Sequence, residues 1–152
     1  MIDKNYTCVM ILFRYKEGNN MNKHVEKAMA LRNATPMVNN CAQAIMRTYA
    51  SELGLDEDLA AKLACNFGGG MKCGSVCGAI TGGIMVLGAK GLDSPKIVGE
   101  FKNAIANNHD GMVNCSDLLR ANAKNGGIKK VHCDAMIKEA IELIDQLEEK
   151  YK

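Results

Sequence analysis

From Asn22 onward, apolar residues recur at intervals of three and four, the signature of helices with one buried face. Val25, Ala28 and Met29 share a face in a first helix, which ends before Pro36 because proline disfavours helical geometry in the preceding residue. Asn39 or Asn40 caps a second, with Ala42, Ile45, Met46, Tyr49 and Leu53 on one side and Gly54 at its end. Asp56 caps a third, whose stripe is Leu59, Leu63 and Phe67 and which Gly68-Gly69-Gly70 stops. A fourth runs from about Ser75 to Ala89 with no charged residue before Lys90, the pattern of a buried helix. Ser94-Pro95 opens a fifth, with Ile97, Val98, Phe101 and Ile105 inward. Asn114 or Ser116 caps a short turn carrying Leu118 and Leu119, and Asn125-Gly126-Gly127 reads as a loop. A last helix starts near Cys133, with Ile137, Ala140, Ile141, Ile144, Leu147 and Tyr151 as its stripe.

No alternating strand pattern follows Met21, and no linker or repeat divides the chain. The expected fold is all-α, a compact bundle of five or six helices around a central Gly/Ala-rich helix, formed by residues 21–152 as a single domain. Residues 1–20 read as a leader outside that domain, with Cys8 to Phe13 as an isolated apolar patch. Lys16-Glu17-Gly18 is compatible with a purine-rich coding stretch ahead of Met21, so Met21 is the expected native start. The competing expectation is an extra strand or helix covering the core.

Length and composition fit this picture: 152 residues, 47% of them apolar, suffice for one core. With 19 basic against 17 acidic residues the net charge is +2, without a concentrated basic face, so nucleic acid is not an expected partner. No apolar run approaches the roughly 20 residues of a membrane span, and no secretory signal is recognisable. The expected location is cytoplasmic. An odd count of seven cysteines argues there for thiols, metal ligands or redox work rather than a disulfide framework. No CxxCH is present, which excludes covalent haem attachment.

No two cysteines have CxxC spacing, so any shared site must be assembled by the fold. Cys41, Cys77, Cys115 and Cys133 each fall near an expected helix start, where unpaired amides and the helix dipole stabilise a thiolate. Four thiolates are the ligand count of an iron-sulfur or zinc site. For any one of them, burial as a small hydrophobe is the plainer reading. Cys73 and Cys77, four apart, would share a helix face if the fourth helix begins early enough, making Cys73 a spare ligand or a resolving thiol. Cys65 points away from the stripe of the third helix and is expected to be inert, and Cys8 is assigned no role.

Gly74, Gly78 and Gly82 also recur every four residues. They serve either a tight helix crossing or room beside Cys77 for a cofactor. Gly68-Gly69-Gly70 lacks the strand and the Gly-Lys-Ser/Thr of a phosphate cradle and reads as a turn. His24 and His109 look like surface positions. His132, beside Cys133, is either a cap or surface residue or a hydrogen-bonding partner for a sulfur.

Several blocks together carry a resemblance: Asn40-Cys41-Ala42-Gln43-Ala44, Phe67-Gly68-Gly69-Gly70-Met71, Val76-Cys77-Gly78-Ala79 with Gly82, Asn114-Cys115 with Leu118-Leu119, and Cys133 ahead of the terminal helix. In order and spacing they resemble the redox-active protein family named for its C_GCAxxG_C_C cysteine pattern. That family is similar to the non-haem cysteine domain of split-Soret cytochromes c. The resemblance implies a redox centre at Cys41, Cys77, Cys115 and Cys133, with Gly78 and Gly82 giving close approach. The expectation is an iron-sulfur cluster, [2Fe-2S] preferred and without haem, that transfers electrons to a redox protein partner, with a homodimer left open. The rivals are a thiol/disulfide oxidoreductase using Cys77 with Cys73 or another cysteine, and a structural four-cysteine zinc module.

Overall fold

The computed structural model describes residues 22–152. The expectations for residues 1–20, the start at Met21 and Cys8 lie outside the described residues. Within them the chain is all-helical, with seven α-helices and no strand. These are α1 (Lys23–Asn33), α2 (Cys41–Ala50), α3 (Glu57–Ala64), α4 (Gly78–Ala89), α5 (Pro95–Asn108), α6 (Cys115–Lys124) and α7 (Lys129–Tyr151). The count exceeds five or six because the segment expected as a short turn after Asn114 is a full ten-residue helix, α6.

Local chemistry sets most of the boundaries. Asn40 and Gln43 form a reciprocal capping box at the start of α2, each side chain bonding the other's backbone N–H at 3.0 Å. Asp56 caps α3 through the Leu59 N–H, and Ser94 caps α5 through the Ile97 N–H ahead of Pro95. α7 begins at Lys129, four residues before the expected start, so Cys133 lies one turn inside it.

α2 packs against α1, α3, α4 and α7, and α4 also meets α5 and α7. Tyr49, Phe101, Ile45, Ile80, Leu87, Ile105, Ile137, Ile141 and Ile144 are fully enclosed in the shared core. α3 turns the other way from the expected stripe. Its buried residues are Ala60, Ala61 and Ala64, while Leu59 and Leu63 are 48% and 55% exposed. The alanines allow a close approach to α2 that leucines on that face would prevent.

α4 begins only at Gly78, with Cys77 as its N-cap. The preceding residues make a wide turn, Gly70–Gly74, closed by the Ser75 N–H on the Gly70 carbonyl at 2.9 Å. Gly74 therefore lies outside the helix, at φ +73°, and does not share a face with Gly78 and Gly82. Those two do face α2. A Cβ on Gly82 would lie 3.2 Å from the Ala42 Cα, and one on Gly78 would lie 3.4 Å from the Ala42 amide nitrogen. Tight helix crossing is thus one demonstrated use of both glycines.

Candidate functional site

Three helix N-termini converge on one region. Cys41 is the first residue of α2, Cys77 the N-cap of α4 and Cys115 the first residue of α6, while Cys133 reaches the same place from the second turn of α7. A short backbone strap holds two of these starts side by side. The Cys77 N–H donates to the Val113 carbonyl at 2.9 Å, and the Cys115 N–H donates to the Ser75 carbonyl at 2.6 Å, around an antiparallel bridge between Val76 and Asn114. The Ser116 hydroxyl adds a bond to the Gly74 carbonyl at 2.9 Å.

Asn40 positions Cys41 from the other side. Besides capping α2, it donates through Nδ2 to the Cys65 carbonyl at 2.9 Å. Gly68 packs so tightly on it that a Cβ there would lie 2.3 Å from the Asn40 Cγ, leaving no space for any other residue.

The four cysteines line a cleft of about 930 Å³ between these elements. Cys77 is buried and the other three are partly exposed. The thiols of Cys41 and Cys133 are close enough to set each other's charge, and both Cys77 and Cys115 lie within electrostatic range of Cys133. Among the described residues, no three His, Cys, Asp or Glu side chains stand close enough to hold a single metal ion. The arrangement is one intimate pair with two further thiols around it.

Their acidities differ for physical reasons. Cys133 is lowered to about 7, first by the neighbouring Cys41 thiol, whose proton favours the ionised Cys133 sulfur, with the Arg32 guanidinium and Lys129 adding to the pull. Cys41, which keeps its proton and is buried, is pushed far upward, so above about 7 the pair holds a single proton. Burial pushes Cys77 up to about 11, outweighing the opposite pull of the nearby Ala79 and Ile80 backbone amides. Cys115 is raised by burial and then by the neighbouring Cys133 charge. A position at a helix start therefore does not by itself yield a thiolate here. Desolvation exceeds the helix-terminus effect at Cys77.

The structure separates Cys73 from this set. It is exposed in the wide turn, its Sγ donating to the Gly70 carbonyl at 3.4 Å, and the expected helix face shared with Cys77 does not form because α4 starts at Gly78. Cys65 is expected to point away from the Leu59 and Leu63 stripe and to be inert; since that stripe is the exposed side of α3, the opposite side, where Cys65 follows the buried Ala61 by one turn, brings it to the cleft as a fifth thiol.

Arg32 was not singled out by the sequence, yet it is only 4% exposed. It donates through Nε to Asp134 Oδ1 at 2.7 Å and through Nη1 to the Asn39 carbonyl at 2.8 Å, tying α1 to α7 and to the entry of α2. The sequence signal was its place on the buried side of α1, in register with Val25, Ala28 and Met29.

The histidines are less exposed than expected. His24 bridges Asp145 at 3.0 Å and Glu52 at 2.6 Å, and His109 meets Glu139 at 2.7 Å, which raises its pKa. His24 lies on α1 against Asp145 of α7, and His109, just past the end of α5, reaches Glu139 of α7. His132 lines the cleft, and burial lowers its pKa, with the nearby His109 adding to the effect.

The fold and site thus define an all-helical protein whose four scattered cysteines meet in one cleft. Over residues 39–147 the chain matches the family described as "Putative redox-active protein (C_GCAxxG_C_C)", and it belongs to that family. No curated protein and no solved structure matches it. No helix among the described residues is long and apolar enough to cross a membrane.

Proposed function

We propose that Cys41, Cys77, Cys115 and Cys133 hold an iron-sulfur cluster, [2Fe-2S] preferred, and that the protein passes single electrons to a redox partner. The observation that carries this reading is the convergence of four thiols from four separate helices on one cleft wall. The donor set fits: all four are sulfur, and three helix N-termini direct their positive ends at the region where an anionic group would sit. One close pair with two more distant thiols suits a polynuclear centre, whose ligands bind different iron atoms, better than a single tetrahedral zinc. When bound, such a cluster supplies one-electron oxidation and reduction. The chain's own part is to present the sulfurs, with Arg32 and Lys129 favouring the ionised form of Cys133 and the Ala79 and Ile80 amides lying near Cys77. A reducing compartment such as the cytoplasm keeps the thiols available.

The test is anaerobic reconstitution with iron and sulfide, followed by metal and sulfide analysis, absorption and EPR, then Cys→Ser changes one at a time. Failure to take up iron and sulfide, or full cluster content in Cys77→Ser, would sink the proposal.

A second reading draws on the closeness of the Cys41 and Cys133 thiols. In this thiol/disulfide reading the Cys133 thiolate attacks a substrate disulfide, forming a mixed disulfide and releasing one substrate thiolate. Cys41, losing its proton, then attacks the Cys133 sulfur and releases the second, leaving a Cys41–Cys133 disulfide and two electrons on the substrate. This moves the redox pair away from Cys73 and Cys77. A reversible two-electron couple in metal-free protein, absent in Cys133→Ser, would favour it.

A further inference from the structure

The cleft opens onto a surface of unusual composition. Seven large apolar side chains are exposed among the described residues, and five of them, Met37, Val38, Met71, Ile128 and Val131, belong to the three segments that border the cleft. Their exposures run from 43% to 69%. Exposed apolar side chains scattered singly need no explanation, but their concentration around one opening marks an interaction surface.

The charged side chains that line the cleft are of one sign. Lys72, Lys129 and Lys130 line the cleft together with Arg32, and no Asp or Glu does. Lys130 is held by Asp134 and Asn33, and Arg32 by Asp134, whereas Lys72 and Lys129 make no ion pair among the described residues. The cations stand out against a net charge of only +2 for the whole chain.

The turn carrying Lys72 adds an independent observation. Met71 and Lys72 both hold φ +56°, a left-handed conformation that residues with side chains seldom adopt. The Ser75 bond to the Gly70 carbonyl fixes this conformation, presenting an apolar and a basic side chain beside the thiols. Strained backbone of this kind concentrates at ligand-contacting sites.

We infer that the cleft mouth is the docking face for an acidic one-electron carrier protein, which seats a patch of apolar residues ringed by carboxylates over the four cysteines. The inference takes its purpose from the cluster reading, but the docking itself does not require a cluster. Apolar contact at the centre supplies adhesion, and the lysines steer an acidic partner and set its orientation. Once docked, one electron leaves the reduced carrier and enters the oxidised centre, and no bond or proton need move. A macromolecule is favoured over a small anion because Lys72 and Lys129 stand on the exposed rim, while the enclosed Arg32 is already satisfied by Asp134 and Asn39.

The test uses isotope-labelled, cluster-free protein titrated with two probes, an acidic flavodoxin and an acidic plant-type ferredoxin. Amide shifts should map to residues 37–40, 71–74 and 128–133 with at least one probe, and binding should weaken steeply with salt. Lys72→Glu with Lys129→Glu should weaken it about tenfold or more, while Lys102→Glu on α5 leaves it unchanged. Lys129→Gln supplies a milder change should the double variant fold poorly. Absence of binding to both probes, shifts mapping elsewhere, or unaltered binding in the lysine variants would overturn the inference. The same shifts produced by acetate alone, or by raising the protein's own concentration, would overturn it too. Iron and sulfide content is measured separately, so docking without cluster uptake refutes the cluster reading alone.

Discussion

Gly78 lies so close to α2 that a Cβ on it would sit 3.3 Å from the Cys41 Cβ and 3.0 Å from the Phe67 carbonyl oxygen. The glycine next to one candidate ligand is therefore what lets a second approach it. Gly78→Ala should destabilise the fold by about 1–3 kcal/mol, because backbone at Phe67 cannot swing aside as a side-chain tip can. Gly88, on the exposed end of the same helix, has nothing within 4 Å of a built Cβ. Gly88→Ala should instead stabilise by about 0.5–1 kcal/mol. Urea denaturation of the two variants checks the opposite signs, and equal effects would refute the close-approach argument.

The thiol pair yields a prediction in pH. A lowered Cys133 favours the folded state above the ordinary thiol pKa of 9.0, and that contribution is lost as pH falls through about 7. The raised Cys77 acts oppositely, its contribution being present below 9.0 and lost as pH rises through about 11. Cys41, also raised, adds to that loss. Reduced, metal-free protein should therefore gain stability from pH 7 to 9 through Cys133 and lose it beyond. Thiolate absorbance should show one cysteine ionising near neutrality, and Cys133→Ser should abolish that step.

Removing Arg32 should unsettle both fold and site. Arg32→Leu leaves Asp134 and the Asn39 carbonyl without their buried partner, at a cost of about 3 kcal/mol, the Lys130 bond to Asp134 limiting the loss. It should also move the thiolate step of the Cys41–Cys133 pair to higher pH, since Arg32 lowers the pKa of Cys133. Chemical denaturation and thiol titration on one sample test both effects.

Tyr49 gives the complementary case at the far end of α2. Its hydroxyl donates to Asp145 Oδ1 at 2.8 Å within the core, where α1, α2 and α7 meet. Tyr49→Phe should cost about 1–2 kcal/mol and leave the thiol titration unchanged. A shifted titration would mean that the two ends of α2 are coupled.

The helices were legible where one residue's chemistry decides them. Asn40 with Gln43, Asp56, and Ser94 before Pro95 announce their caps in the sequence, and each is formed. Periodicity failed where it presumes that the largest residues face inward: in α3 the alanines do, and Leu59 and Leu63 do not. The four cysteines could be named, and the fold brings them to one cleft, but the means could not be read. The Val76–Asn114 bridge is too short to leave an alternating pattern, and Arg32 and His24 are polar residues buried only because distant carboxylates on α7 receive them. The left-handed course at Met71 and Lys72 is likewise invisible, since neither residue type favours it.

The cysteines of the cleft are spread from residue 41 to residue 133, and the last arrives on α7. On the ribosome, a chain that has emerged only as far as α6 has Cys41 without Cys133 beside it and Arg32 without Asp134. The four-cysteine cleft therefore exists only once α7 has packed back against α1 and α2, and a ligand that needs all four sulfurs meets them only after that step.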